Sequence, residues 1–210
     1  MVTLLITGFG PFPGAPDNPS ARLVARLARA RRPALNAHVF ATHIFPTSYA
    51  EIDRDMPMLI AKYRPAALVM FGLAARTPFL RVERQARNRV SPLFPDAQRV
   101  APKANVIRRH APATLRGRAP LARLVAAART SRVDCILSND AGRYVCNYTY
   151  WHGLEAAARR GGPRIVVFVH VPKLHARSHP GPRVKRPSLE QIVRTAQAML
   201  ISAASAARRS

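Results

Sequence analysis

The chain of 210 residues carries 34 lysines and arginines against 10 aspartates and glutamates, a formal charge of +24, yet 48% of its residues are hydrophobic. That apolar share excludes a disordered basic tail, and the length fits one large domain or two small ones with a core that needs no covalent staple. Two cysteines, Cys135 and Cys146, exclude a disulfide framework, and no Cys/His cluster has zinc spacing. The opening MVTLLITGFGPF is too short, and too soon broken by Gly8 and Pro11, for a signal peptide or a membrane span. The expectation is a cytoplasmic chain in a reducing compartment, with no membrane partner.

The elements follow in chain order. Residues 2–7 are a continuous apolar run ended by Gly8, the pattern of a strand buried on both faces. A helix follows the loop: Asp17 or Asn18 caps it, Pro19 takes the first helical position, and Leu23, Val24, Leu27 and Ala28 form its apolar stripe. Residues 38–45 read as a second strand, 47–62 as a second helix and 66–71 as a third buried strand ended by Gly72. Around residues 90–120, and most of all from Pro92 to Pro120, the chain is rich in Pro, Arg and Ala and predicts an irregular excursion. Order returns with VDCIL (133–137) as a strand, SNDAGRYV as a turn and a helix from Cys146 to about Arg159. IVVFV (165–169) is a further buried strand, ended by His170-Val171-Pro172. Residues 173–187 read as a basic, Pro-rich surface loop, and 188–207 as an amphipathic helix capped by Ser188. The alternation of strand and helix predicts an α/β layer architecture, a single domain over 1–210.

In open α/β sheets the ligand crevice lies beyond the carboxyl ends of the strands. Four polar points fall there: the loop from Gly8 to Gly14, Glu83, Cys146 and His170. A cysteine that opens a helix stands among unpaired N–H groups and the positive end of the helix dipole, which favour thiolate and can hold an oxyanion. It is equally what a small buried residue looks like, and Cys135, in mid-strand, reads as core filler. His170 at the end of a buried strand is either a structural histidine or the imidazole a nucleophilic cysteine requires. Such a base in turn needs a carboxylate to orient it. Glu83, in FLRVERQARN, is either that carboxylate or a solvated ion-pair partner.

These blocks carry a resemblance. SNDAGRYVCN closely resembles the active-cysteine signature of the pyroglutamyl peptidases, the C15 cysteine peptidases. GFGPF with the following NPS resembles their opening loop, GLAARTPFLRVERQARN their glutamate signature, VHVP their histidine block and PSLEQIVRTAQ their last helix. The resemblance implies a three-layer α/β/α fold of phosphorylase/hydrolase-like type with a mostly parallel, mixed twisted sheet. It also implies a cysteine exopeptidase that removes an amino-terminal pyroglutamyl residue from peptides without metal or cofactor. Cys146 would then be the nucleophile, His170 the general base and acid, and Glu83 its orienting carboxylate. Phe9 and Phe12 would line a pocket for the neutral lactam, and Asn18 would lie near it; core packing and helix capping are their alternatives. The chain departs from the pattern at Gly10, at Arg81 where Ser or Thr is expected, at Gln85, and at NRVSPLFPD. There an arginine expected near the oxyanion has no in-register equivalent, leaving Arg89 as the candidate.

The family resemblance further implies a homo-oligomer, a dimer or tetramer. A rival reading takes the charge at face value: an inactive member of the fold that binds nucleic acid through Arg108-Arg109, residues 116–118 and residues 183–186. No nucleic-acid signature and no interleaved aromatics support it.

Overall fold

The computed structural model describes residues 1–12, 14–29, 33–174 and 186–209. In chain order these form β1 (Thr3–Phe9), α1 (Pro19–Ala28), α2 (Pro33–Asn36), β2 (Val39–Phe45), α3 (Tyr49–Tyr63), β3 (Ala67–Leu73), β4 (Leu80–Glu83) and β5 (Gln85–Arg87). Then come β6 (Thr114–Arg116), α4 (Leu121–Thr130), β7 (Cys135–Ser138), α5 (Val145–Ala158), β8 (Ile165–Val171) and α6 (Leu189–Arg209). Six strands make one mixed sheet in the order β2-β1-β3-β8-β4-β7, and β5 pairs with β6 separately. From β2 to β8 all neighbours are parallel; β4 runs antiparallel to β8, and β7 parallel to β4.

The unbroken apolar runs occupy the middle of this sheet because both of their faces are covered. Leu4, Ile6, Val69, Phe71, Val167 and Val169 pack against α1, α4 and α6. On the opposite face Leu5, Leu68, Met70, Val166 and Phe168 pack against α3 and α5, whose Tyr150 and Trp151 are fully buried. Alternate residues of each strand therefore enter different cores, which gives the three-layer α/β/α arrangement. The expected caps are in place. Asn18 Oδ1 accepts the Ser20 N–H at 3.1 Å, and Ser188 with Gln191 forms a reciprocal capping box at 2.9 and 3.2 Å.

Three parts of the sequence reading need correction. β8 does not end before His170: the histidine is inside the strand, paired in register with Gly72 of β3 and Arg81 of β4. Glu83 lies not beyond the end of another strand but within a strand of its own, in which Leu80 and Val82 bury on one face while Arg81 and Glu83 point to the other. Helix α4 stands where no element was expected. Its Leu121, Leu124, Val125 and Ala128 carry the helical spacing, which basic, Pro-rich surroundings obscure. The expected basic loop and the cluster at 183–186 fall largely on residues 175–185, outside the described residues.

Residues 91–113 form neither helix nor strand, while β6 at 114–116 falls inside the stretch of 90–120 expected to be irregular, and polar side chains pin the segment to the sheet-and-helix frame. Asn88 Oδ1 accepts the N–H groups of Ile107 and Arg108 at 3.0 and 2.8 Å. Asp96, 3% exposed, accepts the N–H groups of Gln98 and Val100 and also that of Tyr49 at 3.0 Å. Ser48, the residue capping α3, makes no side-chain cap bond, so the carboxylate from the excursion does that work. Asp96→Ala is therefore expected to destabilise the protein by about 1–2 kcal/mol in urea denaturation. Asp96→Asn, which keeps an acceptor, should lose less.

Candidate active site

The turn from Ser138 to Tyr144 is built to deliver a helix start. Ser138 Oγ accepts the Asp140 N–H at 3.2 Å, Asp140 Oδ1 accepts the Gly142 N–H at 3.0 Å, and Gly142 has φ +88°, a backbone that a residue with a Cβ adopts only with strain. Helix α5 then opens at Val145, so Cys146 lies in its first turn. Tyr144 at the cap position supplies no side-chain acceptor, which leaves the first-turn N–H groups free of one. Asn147, fully buried, fixes the helix by donating to the carbonyls of Arg87 and Arg89 and accepting the Arg87 N–H, all within 2.9 Å.

Cys146 and His170 line one crevice of about 800 Å³, with Phe12, Phe94 and Tyr144 among its apolar walls. The sulfur sits where Gly72 leaves room: a Cβ at Gly72 would stand 2.8 Å from Sγ and 2.7 Å from Phe168 Cζ. Because Gly72 pairs with His170 across two neighbouring strands, the sulfur is carried to within about one strand spacing of the histidine. Among the described residues no hydrogen bond joins Sγ to the imidazole. Phe168 supports the ring from below, centroid to centroid at 4.8 Å.

Behind His170 lies Glu83, with no exposed surface, its Oε1 2.7 Å from Nδ1. Burial alone would raise the Glu83 carboxyl; the His170 hydrogen bond and charge and the nearby Arg81 cation outweigh it and hold the group below the ordinary range. An ionised carboxylate only accepts, so Nδ1 carries a proton, and Nε2 is the nitrogen whose lone pair the neutral tautomer turns to the crevice. The sequence expectation for Cys146 is overturned on one point. Burial, then the Glu83 charge, push the thiol up to about 12, against which its own N–H and Arg81 act weakly. The side chain is part-exposed along the crevice, so entering solvent moderates the shift without reversing it. The resting group is a thiol, because the helix start contributes less than burial removes. Cys135, with its thiol pushed up to about 11 by burial, lies outside this crevice.

The other expected residues divide. Phe12 lines the crevice, 6.2 Å from the Tyr144 ring. Phe9 does not: it is 2% exposed and packs on Phe45 and Phe168, as an odd-numbered β1 residue facing α3 and α5 must. Asn18 is a cap and a loop tie, its Nδ2 donating to the Gly10 carbonyl at 3.1 Å. Arg89 is exposed and outside the crevice wall, and its carbonyl is engaged by Asn147. Two arginines line the crevice, Arg76 exposed at its rim and the half-buried Arg81, which the sequence marked only as a departure. Gly72 and Tyr144 were likewise readable only as a strand end and a turn residue. Among the described residues no group of His, Cys, Asp and Glu could hold a metal ion, and no helix is long and apolar enough to cross a membrane.

A model of the family described as pyroglutamyl peptidase matches residues 2–209. The chain belongs to the pyroglutamyl peptidase family. It is 31% identical over 180 residues to the pyrrolidone-carboxylate peptidase of Thermococcus kodakarensis, covering 86% of this chain and 85% of that protein. To the pyrrolidone-carboxylate peptidase of Thermococcus onnurineus it is 30% identical over 197 residues, 94% and 96% of the two chains. The fold matches the pyrrolidone carboxyl peptidase from Thermococcus litoralis with a TM-score of 0.89, at 22% identity, over 100% of this chain and 96% of that one. Nothing among these relatives supports the nucleic-acid-binding reading.

Two outcomes follow from the family member's geometry. Gly72→Ala should lose roughly 1–3 kcal/mol of stability in denaturant, since the new Cβ overlaps Phe168 and the Cys146 sulfur. It should also change the rate at which iodoacetamide labels Cys146. For Glu83 the native pKa lies below its usual 4.5, so its ionisation stabilises the fold fully above that pH, and the benefit is lost as pH falls through the native value. The stability difference between wild type and Glu83→Gln, measured by urea midpoints, should therefore shrink below pH 4.5.

Proposed function

We propose that the protein is a cysteine exopeptidase that hydrolyses the bond following an amino-terminal pyroglutamyl residue. The observation that carries this reading is the buried Glu83–His170 pair, Nδ1 to Oε1 2.7 Å, standing behind a crevice that Cys146 shares. Family membership supplies the substrate class.

Peptide enters the crevice with its lactam ring against the aromatic surface of Phe12 and Tyr144. A flat, uncharged ring suits such walls, while a free amino terminus would bring a cation they cannot solvate. His170 Nε2 takes the proton of the Cys146 thiol as sulfur attacks the pyroglutamyl carbonyl carbon. The thiol starts neutral, so proton transfer accompanies attack rather than preceding it. The oxyanion forms beside the open N–H groups of the first turn of α5, whose dipole favours it. His170 then returns the proton to the departing amine, leaving a thioester. Water, deprotonated by the same nitrogen, attacks that thioester and releases pyroglutamate. Glu83 keeps Nδ1 protonated and stabilises the imidazolium that appears twice in the cycle.

The reading extends to a cytoplasmic homo-oligomer, dimer or tetramer, as membership of the family suggests; light scattering on the purified protein tests the assembly. For the chemistry the test is release of a fluorescent amine from a pyroglutamyl amide at neutral pH. Cys146→Ala should lower kcat at least about 10³-fold and His170→Gln a comparable amount, with folding retained by circular dichroism. Undiminished turnover by Cys146→Ala would remove the cysteine from the reaction, and an inactive wild type would remove the reading.

A further inference from the structure

Arg81, a charged side chain that lines the crevice and touches Glu83, has no part in the mechanism above. Arg81 sits on β4 opposite His170 in register, two residues before Glu83 and on the same face of the strand. Its Nε donates to Glu83 Oε1 at 3.1 Å, and Nη2 lies 2.9 Å from the same oxygen. Oε1 is thus shared between Arg81 and His170 Nδ1, while Oε2 has no hydrogen-bond partner among the described residues. The same Nη2 also faces the turn that delivers the cysteine, donating to Ser138 Oγ at 3.0 Å and to the Asp140 carbonyl. One planar fork therefore joins the carboxylate behind the base to the turn that opens α5.

We propose that Arg81 is a positioning residue that locks Glu83 against the turn carrying Cys146 and sets the pH range in which His170 acts as base. This rests on the peptidase reading for its catalytic consequence, though not for its electrostatic one.

The sign follows from the groups around His170. From β4 come the Glu83 carboxylate and the Arg81 cation. From α5 come Cys146, a thiol at rest, and Tyr150, whose hydroxyl donates to the Glu83 carbonyl at 3.0 Å and which burial keeps a neutral phenol. From the turn before α5 comes Asp140, whose carboxylate is turned to Arg87 at 3.2 Å and to the Gly142 N–H. Arg76 is exposed at the rim, and β3 contributes only Met70 and Gly72 beside the histidine's strand. Arg81 is the one cation in direct contact with the Glu83–His170 pair among the described residues. It competes with the imidazole for Oε1 and repels a proton on it. The cation therefore works against a proton on the imidazole and favours the form that can accept the thiol proton. Removing the cation while keeping Glu83 must raise the pH at which the imidazole is half protonated.

The experiment measures the His170 titration midpoint by NMR of isotope-labelled histidine in the substrate-free full-length protein, the signal being assigned with His170→Gln. Wild type, Arg81→Ser, Arg81→Gln and Arg81→Lys are compared, and the pH dependence of kcat/KM for a pyroglutamyl amide is recorded on the same proteins. In Arg81→Ser and Arg81→Gln the midpoint should rise by roughly half to one pH unit. The acid limb of kcat/KM should rise by the same amount, and Arg81→Lys, which keeps the charge, should stay closer to wild type. A midpoint that does not rise in Arg81→Ser or Arg81→Gln, or one that rises equally in Arg81→Lys, overturns the proposal. Arg81→Gln preserves most of the volume and some hydrogen bonding, so one neutral variant remains if the serine protein fails to fold. If wild type hydrolyses no pyroglutamyl amide, the peptidase reading falls while the NMR midpoints still decide the role of Arg81.

Discussion

The site depends on one buried oxygen. Glu83 Oε1 lies where no solvent reaches it, yet it must carry a charge, and an uncompensated charge there would destabilise the fold severely. Two donors prevent that, the imidazole of His170 and the guanidinium of Arg81. Each is held in turn: His170 by the centre of the sheet and the Phe168 ring, Arg81 by its bonds across to Ser138 and Asp140. The placement of the base, the tautomer it presents and the anchorage of the cysteine turn all follow from satisfying that one carboxylate.

This arrangement needs the reversal of strand direction at β4. In an all-parallel sheet, residues i and i+2 on neighbouring strands would march the same way, and Glu83 would sit farther along the strand axis than His170. Because β4 runs against β8, Glu83 lies opposite Phe168 and reaches back to the histidine, while Arg81 stands directly opposite His170. The missing side chain at Gly72, on the other neighbour of β8, provides the matching space for sulfur. Burial also holds Cys146 as a thiol, so reactivity rests on the neighbouring base rather than on a preformed thiolate.

The surplus of positive charge is mostly a property of the outer shell. With 10 acidic residues against 34 cationic ones, few arginines find a carboxylate; those that do include Arg22 with Asp17 and Arg26 with Glu190, exposed pairs of small energetic weight, and Arg108 with the half-buried Glu155. Such a surface attracts polyanions in a salt-dependent way without specifying any of them. Arg81 is the exception, since its charge is spent inside the crevice on the group that governs the base.

What the sequence by itself determined is whatever local rules and ordered motifs can carry. The central strands are legible because burial on both faces demands unbroken apolar runs, and α1 and α6 because Asn18 and Ser188 are capping residues followed by apolar stripes. Cys146, His170 and Glu83 are legible together because each stands in a motif of its own. Tertiary structure alone decided the rest. The direction of β4 leaves no trace in four residues, so neither the geometry of the Glu83–His170 pair, which the family resemblance implied, nor the place of Arg81 could be read along the chain. Whether Phe9 or Phe12 faces the crevice is a matter of strand phase relative to a wall built from α3 and α5. The state of the Cys146 thiol was misjudged from sequence because a helix start is a local feature, whereas the burial that overrides it is contributed by residues from β3, β4 and β8 far away in the chain.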